Sequence, residues 1–388
     1  MSVSARIAQL ADEAFRQHEF PVCQRRIYFA HAAVAPLPRT VAEAMIAYIR
    51  TASEGGQKFE AALQQMSETR ALAAQLIGCG ADEIALLGPT SLGLNLIAQG
   101  LDWKNGDEVV CYADDYPANV YPWMDLRRRG VRLVYLKPER LGAITPDVVE
   151  AALTARTRLV ALSSTHFVSG FRVDLAGIGA LLKTRDVLFA VDAIQTLGAS
   201  PICVANVDFL SAGAQKWLLG PEGAGILYVK KSRWEHLRPA LVGATNVVST
   251  NDIASDEINF VPGAQRYEPT IMNVPGMIGM KAALDMVLEF RDEIPSRIFA
   301  LKEKIIVSLE SLGFEFLGPA RGASVSGITT CFHPRIPSKH FVEILHAGDV
   351  AVSLRSDRAG KDYVRISPHF YNTSEEVAKM IEMLHRAV

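Results

Sequence analysis

The sequence predicts an α/β fold in which a mainly parallel sheet lies between helices and is followed by a smaller α+β domain. Short continuous apolar runs, typical of strands buried on both faces, recur at 107–112, 131–136, 157–163, 187–192, 207–212 and 224–229. Helical patterns separate several of them, at 91–101, 117–129, 146–154 and 174–184. After about residue 270 this alternation of strand and helix patterns ends and long helical patterns follow, which indicates a second architecture.

The first part of the chain reads as helical. Residues 4–17 have an apolar stripe of the helical period, and 40–52 and 57–77 also favour helices. Between them, an apolar segment at 28–36 is broken by a proline. The alternation of strand, turn and helix begins near residue 84. Two of the later helices have start signals, Thr145 followed by Pro146, and Asp174.

The last third predicts long helices at 275–290 and 295–312, strands near 325–332, 349–354 and 363–367, and a helix at 338–347. Thr373 and Glu376 form a capping-box pattern that opens a final helix. A chain of 388 residues is too long for one small core. We therefore predict a large domain over 21–270 and a small domain made of 1–20 and 271–388.

Composition favours a soluble globular enzyme. Hydrophobic residues make up 49% and charged residues 21%. Lys plus Arg is 40 and Asp plus Glu is 42, a net charge of -2, which argues against nucleic-acid binding. The five scattered cysteines form no CxxC pair and the histidines no HxH or HxxH pair, so neither a disulfide framework nor a metal site is indicated. The N-terminus lacks an apolar signal region, and no stretch favours a membrane span, so we expect a cytoplasmic protein.

Lys216 is the first candidate for chemistry. It is the only charged residue between Asp208 and Glu222. Burial disfavours the ammonium form and lowers the pKa of a lysine, which makes its amine a usable nucleophile for a Schiff base. The alternative is a lysine at a strand end that extends its amine to solvent.

Asp192 ends an apolar run and is therefore placed at the carboxyl end of a buried strand, the edge at which ligands bind in open α/β sheets. A carboxylate there can keep a pyridine nitrogen protonated, as an electron-sink cofactor needs. Gln195 would lie beside it. The alternative is an aspartate that caps the next helix.

Three further segments are candidates. Thr90 and Ser91 open a helix after a short strand, where free N–H groups can bind phosphate or the side chains can act only as caps. Tyr116 follows strand 107–112 and could stack on a flat ring or pack in an aromatic loop. Arg365 shares one strand face with Tyr363 and could bind a carboxylate or face solvent.

Taken in order, these segments resemble the class V aminotransferase family of fold-type I pyridoxal-phosphate enzymes. The resemblance runs from about Tyr28 to the C-terminus. It rests on Val191-Asp-Ala-Ile-Gln195, Gln215-Lys-Trp-Leu-Leu-Gly-Pro-Glu-Gly-Ala-Gly225 and Arg365-Ile-Ser-Pro-His-Phe-Tyr-Asn-Thr373. The closest likeness is to the isopenicillin-epimerase-like branch, and cysteine desulfurases belong to the same group.

The resemblance implies a seven-stranded sheet, pyridoxal 5'-phosphate as cofactor, an amino-acid substrate and a homodimer. Lys216 would form the Schiff base with the cofactor, Asp192 would bind the ring nitrogen, and Gln195 would bind the ring hydroxyl. The phosphate would be bound by Thr90, Ser91 and Gln215, and Tyr116 would stack on the ring. Arg365 would bind the substrate carboxylate, and Ala32 and Ala33 would form the near wall of the substrate site.

The chain departs from the family pattern at three places. A histidine often precedes the lysine, where this chain has Gln215. Desulfurases have Asn after Val-Ser, where this chain has Gly170. The Gly-Thr phosphate element near Asn273 is replaced by Thr270-Ile271, so Arg266 and Thr270 are the candidates there.

The resemblance favours an aminotransferase first, with a C–S or β-lyase and an amino-acid epimerase as alternatives. A persulfide-forming cysteine desulfurase is not expected, because residues 353–362, before Arg365, contain no cysteine. Two other functions compete with a pyridoxal-phosphate enzyme. One is a nucleotide-binding enzyme, but the sequence lacks the glycine fingerprint of that class. The other is a binding protein that has kept the fold without the catalytic activity.

Overall fold

A computed structural model describes residue 9 and residues 12–249, 253–254, 256–271 and 273–388. The predicted helix at 4–17 lies partly outside these residues. Within them, helix α1 spans Glu13–Glu19, and the side chain of Asp12 accepts a hydrogen bond from the amide of Ala14 at its start.

A seven-stranded sheet forms the centre of the structure and confirms the predicted α/β class. Its strands, in the spatial order β2-β8-β7-β6-β5-β3-β4, all run parallel except β8, which is antiparallel to both neighbours. The bounds are β2 Ile84–Leu87, β3 Glu108–Cys111, β4 Arg132–Tyr135, β5 Thr157–Ser163, β6 Leu188–Asp192, β7 Phe209–Gly213 and β8 Gly225–Val229.

Alternate residues of each strand face two separate cores. Val110 and Phe189 belong to one core, and their chain neighbours Val109 and Ala190 belong to the other. Both faces are covered because helices flank the sheet, so the strands contain continuous apolar runs. The helices of this part are α2 Arg39–Gly55, α3 Phe59–Ile77, α4 Thr90–Gly100, α5 Tyr121–Asp125, α6 Pro146–Glu150 and α7 Leu175–Thr184.

Two predicted helices are shorter than the sequence pattern indicated. Instead of one helix over 117–129, the five-residue α5 lies between two 3₁₀ turns, because Pro117 and Pro122 supply no amide donor. The helix predicted at 146–154 ends at Glu150. The Thr154 amide instead bonds to the Thr157 hydroxyl at 2.8 Å, which turns the chain into β5.

The C-terminal third contains the predicted helices and an antiparallel sheet of order β12-β13-β10-β9. The capping box of Thr373 and Glu376 is present. The bounds are α8 Val274–Glu289, α9 Glu293–Ser311, β9 Glu315–Phe316, β10 Thr329–Phe332, α10 Ser338–Ala347, β11 Val350–Ala351, β12 Ser353–Ser356, β13 Asp362–Ile366 and α11 Ser374–His385.

The start of the chain is joined to this C-terminal part. Strand β1, Ile27–Tyr28, pairs in parallel with β11, and Arg16 forms an ion pair of 2.8 Å with Glu376. Helix α8 packs against α2 and α3, two of the helices in the part of the chain that contains the seven-stranded sheet. Among the described residues, no helix combines the length and apolarity needed to cross a bilayer, and no cluster of three or more potential metal ligands occurs.

Candidate active site

One cavity of about 530 Å³ lies beyond the carboxyl ends of the parallel strands, as expected for an open α/β sheet. Strand β6 ends at Asp192, β7 leads to Lys216, and β3 leads to Tyr116. The lining includes every predicted site residue except Arg266 and Thr270, namely Ala32, Ala33, Thr90, Ser91, Tyr116, Asp192, Gln195, Gln215, Lys216 and Arg365.

The Lys216 side chain is largely desolvated in this cavity. Its Nζ atom lies 5.5 Å from the centroid of the Tyr116 ring. Burial lowers the pKa of the amine to about 8, and the positive charges of Arg365 and Arg355 act in the same direction, whereas Asp192 opposes them. With this pKa about a tenth of the amine is neutral at pH 7, far more than for an ordinary lysine, and the neutral form is the one that a nucleophile or a proton acceptor requires.

Asp192 is buried at the end of β6, and its Oδ1 atom accepts a hydrogen bond of 3.0 Å from the Ile194 amide. Burial raises the pKa of this carboxyl to about 7, and the attraction of Lys216 offsets only part of that effect. A cation placed beside Asp192 would lower its pKa again. The carboxyl is thus suited to pair with a protonated ring nitrogen.

Gln195 joins the two walls of the cavity. Its Nε2 atom donates to the carbonyl of Ala32 at 2.9 Å, and its Oε1 atom accepts from the Trp217 indole at 2.9 Å. One N–H of the amide is not used by these two bonds. The predicted contact of Gln195 with a ring hydroxyl stays a prediction.

Helix α4 supplies the candidate phosphate end of the cavity. It begins at Thr90, so the amides of Thr90 and Ser91 have no partner inside the helix and can bind an anion, whereas the Leu92 amide donates to the Pro89 carbonyl at 2.8 Å. The Thr90 hydroxyl accepts from the Gly213 amide at 2.8 Å, Ser91 is exposed, and the buried Oε1 atom of Gln215 has no partner among the described residues. Thr270 is exposed and outside this lining, so its role stays a prediction.

Arg365 is only 1% exposed, so the alternative of a solvent-facing arginine is wrong. Its Nη1 atom donates to the carbonyl of Phe167 at 2.6 Å, while its Nε and Nη2 atoms are buried with no partner among the described residues. Burial lowers the pKa of this guanidinium to about 9. Two adjacent unpaired N–H groups match a carboxylate, which accepts a bidentate contact.

Seven residues of the lining were not predicted as site residues: Phe167, Arg355, Val34, Pro89, Ala118, Ile194 and Glu222. Phe167 follows β5 at the same sheet edge at which Tyr116 follows β3, and that position is a signal that could have identified it. Arg355 lies on β12 next to Arg365 on β13, where Ser353 is the direct partner of Arg365. A hairpin register of this kind is not readable from the apolar pattern.

These residues fit pyridoxal phosphate. The desolvated amine of Lys216 suits the aldehyde of the cofactor, and the buried carboxyl of Asp192 suits the nitrogen of its ring. The Tyr116 ring can stack on the flat face of the cofactor, and the start of α4 can bind its phosphate. The unpaired N–H groups of Arg365 remain for the carboxylate of a substrate.

Comparison with known proteins agrees with this chemistry. The family described as aminotransferase class-V matches residues 27–380. A probable cysteine desulfurase of Methanothermobacter thermautotrophicus is 27% identical over 390 residues, which cover 95% of this chain and 96% of the relative. The cysteine desulfurase IscS of Anaeromyxobacter dehalogenans is 31% identical over 297 residues, which cover 73% of this chain and 68% of the relative.

Solved structures show the same fold. An apo cysteine desulfurase from Thermococcus onnurineus NA1 has a TM-score of 0.88 at 23% identity and covers 97% of this chain and 98% of its own. The cystine C–S lyase C-DES, in complex with its product cysteine persulfide, has a TM-score of 0.84 at 22% identity, with coverages of 94% and 99%. A C-DES mutant with glycine covalently linked to the PLP cofactor has a TM-score of 0.87 at 21% identity, with coverages of 95% and 98%. The chain belongs to the class-V aminotransferase family, whose enzymes have fold type I and use pyridoxal 5'-phosphate as cofactor.

Proposed function

We propose that the protein is a pyridoxal-phosphate-dependent C–S lyase that acts on a sulfur-containing α-amino acid. This is the alternative predicted beside the aminotransferase, and the names of the relatives support it, since they are cysteine desulfurases and a cystine C–S lyase. The observation that carries the amino-acid substrate is one cavity that holds both the Lys216 amine and the unpaired N–H groups of Arg365.

The residues of the cavity divide the work. The guanidinium of Arg365 binds the substrate carboxylate and thereby orients its Cα. With a pKa of about 8, Nζ of Lys216 can take up the Cα proton and release it again near neutral pH. Asp192 holds the proton on the ring nitrogen, and Tyr116 covers the ring face. When bound, pyridoxal phosphate supplies the electron sink that weakens the bonds at Cα.

The proposed overall reaction with cysteine consumes one water and yields pyruvate, ammonia and hydrogen sulfide. Sulfur leaves as sulfide, because no cysteine of the described residues lines the cavity. Cys111 and Cys331 are buried in strands, and burial raises the pKa of each thiol to about 12, so neither is a ready nucleophile.

The test is to incubate the cofactor-loaded protein with L-cysteine and L-cystine, with and without a 2-oxo acid as amino acceptor. A C–S lyase releases pyruvate, ammonia and sulfide or persulfide without the acceptor. If product instead forms only when the acceptor is present, the enzyme is an aminotransferase and the proposal is wrong. Lys216→Ala serves as the inactive variant, and Lys231→Ala, at an exposed lysine, as the matched control.

The homodimer and the cytoplasmic location implied at the outset stay predictions. In a homodimer, a partner subunit could bring an exposed residue such as Thr270 to the phosphate end of the cavity. Analytical ultracentrifugation measures the mass in solution, and a sedimenting species of one chain would contradict the dimer.

A further inference from the structure

A second cavity, of about 490 Å³, adjoins the candidate active site. It lies beyond the carboxyl ends of β3 and β4. Part of its lining is polar or charged, namely Asp114, Asp115, Ser356, Asp357 and Arg358. The rest is mostly apolar or aromatic and includes Val120, Tyr121, Met124, Tyr135, Leu141 and Val168. This apolar part of the cavity suits an aliphatic or aromatic group.

Phe167 lies between the two cavities, because this residue lines both of them. Two chain segments, 116–117 and 355–356, form the partition between the cavities together with Phe167, because the two consecutive residues of each segment line different cavities. Tyr116 lines the active-site cavity and Pro117 the second one, while Arg355 lines the active-site cavity and Ser356 the second one.

The backbone of the partition is held in place by the C-terminal part of the chain. The carbonyl of Phe167 accepts from Arg365 at 2.6 Å, that of Val168 from the Thr330 hydroxyl at 2.5 Å, and that of Gly170 from the Ser326 hydroxyl at 2.7 Å. These bonds do not involve the Phe167 side chain, so a substitution there changes the wall without removing any of them.

The Phe167 ring is also held on one side. It meets the Tyr116 ring edge to face, with centroids 5.3 Å apart and an interplanar angle of 77°. Arg365, which would bind the substrate carboxylate, bonds the Phe167 carbonyl directly. An amino acid bound to Arg365 therefore lies beside the partition.

We propose that Phe167 determines substrate specificity by closing the second cavity to the substrate side chain. The inference rests on the proposed function, in that it takes an α-amino acid as the substrate. It restricts the natural substrates to amino acids whose side chains bind without entering the second cavity. It assigns the second cavity as the space that an aromatic or long aliphatic substituent would occupy once the ring is removed.

The kinetic test compares S-methyl-L-cysteine with S-benzyl-L-cysteine on the holoenzyme. Each releases its thiol, pyruvate and ammonia upon elimination. In Phe167→Ala the ratio of kcat/KM for the benzyl over the methyl substrate should rise by about tenfold or more, the usual effect of admitting apolar groups to a pocket. Phe167→Leu should give an intermediate ratio, and its smaller volume change guards against loss of folding.

A second substitution tests where the benzyl group goes. Met124 lines the second cavity and not the active-site cavity. Met124→Trp should leave the ratio of the parent enzyme unchanged, because Phe167 already closes that cavity. Combined with Phe167→Ala, it should cancel the gain. A gain that survives in the double variant would contradict the assignment of the second cavity.

A binding measurement separates this inference from the proposed reaction. Propanoate and 3-phenylpropanoate carry no amine, so neither reacts with the cofactor. Their affinity ratio, measured by NMR titration of the holoprotein, should shift toward the phenyl compound in Phe167→Ala by a similar factor. A shifted ratio in a protein without lyase activity would overturn the C–S lyase proposal and support the role of Phe167. An unchanged ratio would overturn the role of Phe167.

Discussion

The Lys216 amine lies 5.5 Å from the centroid of the Tyr116 ring, although the two residues follow different strands of the sheet. A flat ring stacked on Tyr116 therefore comes within reach of the amine. Asp192 lies nearby, at the end of β6, which pairs with β7. The parallel sheet produces this arrangement, because the carboxyl ends of β3, β6 and β7 meet at one edge.

Asp192→Asn should change how stability depends on pH in the cofactor-free protein. The carboxyl has a pKa of about 7 when folded, against an ordinary value of 3.8. Between these values the folded state binds more protons than the unfolded state, so stability falls as pH rises. The asparagine side chain of the variant does not ionise, so the variant does not lose stability in this way. We expect the variant to gain stability relative to the parent between about pH 4 and 7, as measured by urea unfolding.

The control for this experiment is Asp102→Asn, at an exposed aspartate. It should follow the parent protein at every pH. If the difference between Asp192→Asn and the parent were the same at pH 5 and pH 8, the assignment of a buried carboxyl that titrates near neutrality would be wrong.

Arg365→Ala should weaken the binding of α-amino acids but not of simple amines. The lost charge-assisted contact corresponds to about 1.5–3 kcal/mol, or roughly 10- to 150-fold in the dissociation constant. Alanine and ethylamine form a suitable ligand pair, followed by the cofactor's absorbance. Arg321→Ala, at an exposed arginine paired with Glu303 and Glu310, is the matched control. Equal losses for both ligands would indicate a structural role.

No protein-bound persulfide should form on Cys111 or Cys331 during turnover of cysteine. Both thiols are buried, and neither lines the cavity. Mass spectrometry of the intact protein after turnover provides the measurement, and Cys111→Ser and Cys331→Ser should keep the rate of sulfide release. A mass increase of one sulfur atom that disappears in either variant would show that the enzyme acts as a desulfurase.

Gly198→Ala should destabilise the protein by about 2–4 kcal/mol in urea unfolding. Gly198 has a φ of +95°, and an added Cβ would lie 2.3 Å from the backbone oxygen of Trp217, the residue after Lys216. Gly360→Ala is the control, since Gly360 has a φ of +81° with no atom near the added Cβ, and it should cost about 1–2 kcal/mol. Similar losses at both positions would argue against the close packing behind Lys216.

The sequence predicts the central sheet well because buried parallel strands are short continuous apolar runs with little ambiguity. The run ending at Asp192 is an example, since all five residues of β6 are buried. The segment at 117–129 was harder, because its apolar residues have helical spacing while Pro117 and Pro122 interrupt the hydrogen bonds. Periodicity alone does not weigh these two effects against each other.

The candidate site was predictable where the fold rule alone places a residue, as it does for Tyr116, Asp192 and Lys216 at strand ends. It was less predictable where two distant segments must meet. Arg355 enters the cavity through the register of β12 against β13, a long-range pairing that local patterns do not encode. Phe167, by contrast, follows β5 at the same sheet edge, so the fold rule could have placed it as it placed Tyr116.

The most direct test of the account is to reduce the cofactor-loaded protein with borohydride and to map the pyridoxyl-modified peptide by mass spectrometry. The account predicts a single label on Lys216, with loss of the visible absorbance of the cofactor, and no label in Lys216→Ala, which should still fold and should not turn over any amino acid. A label on another lysine of the parent protein, or turnover by Lys216→Ala, would contradict the account.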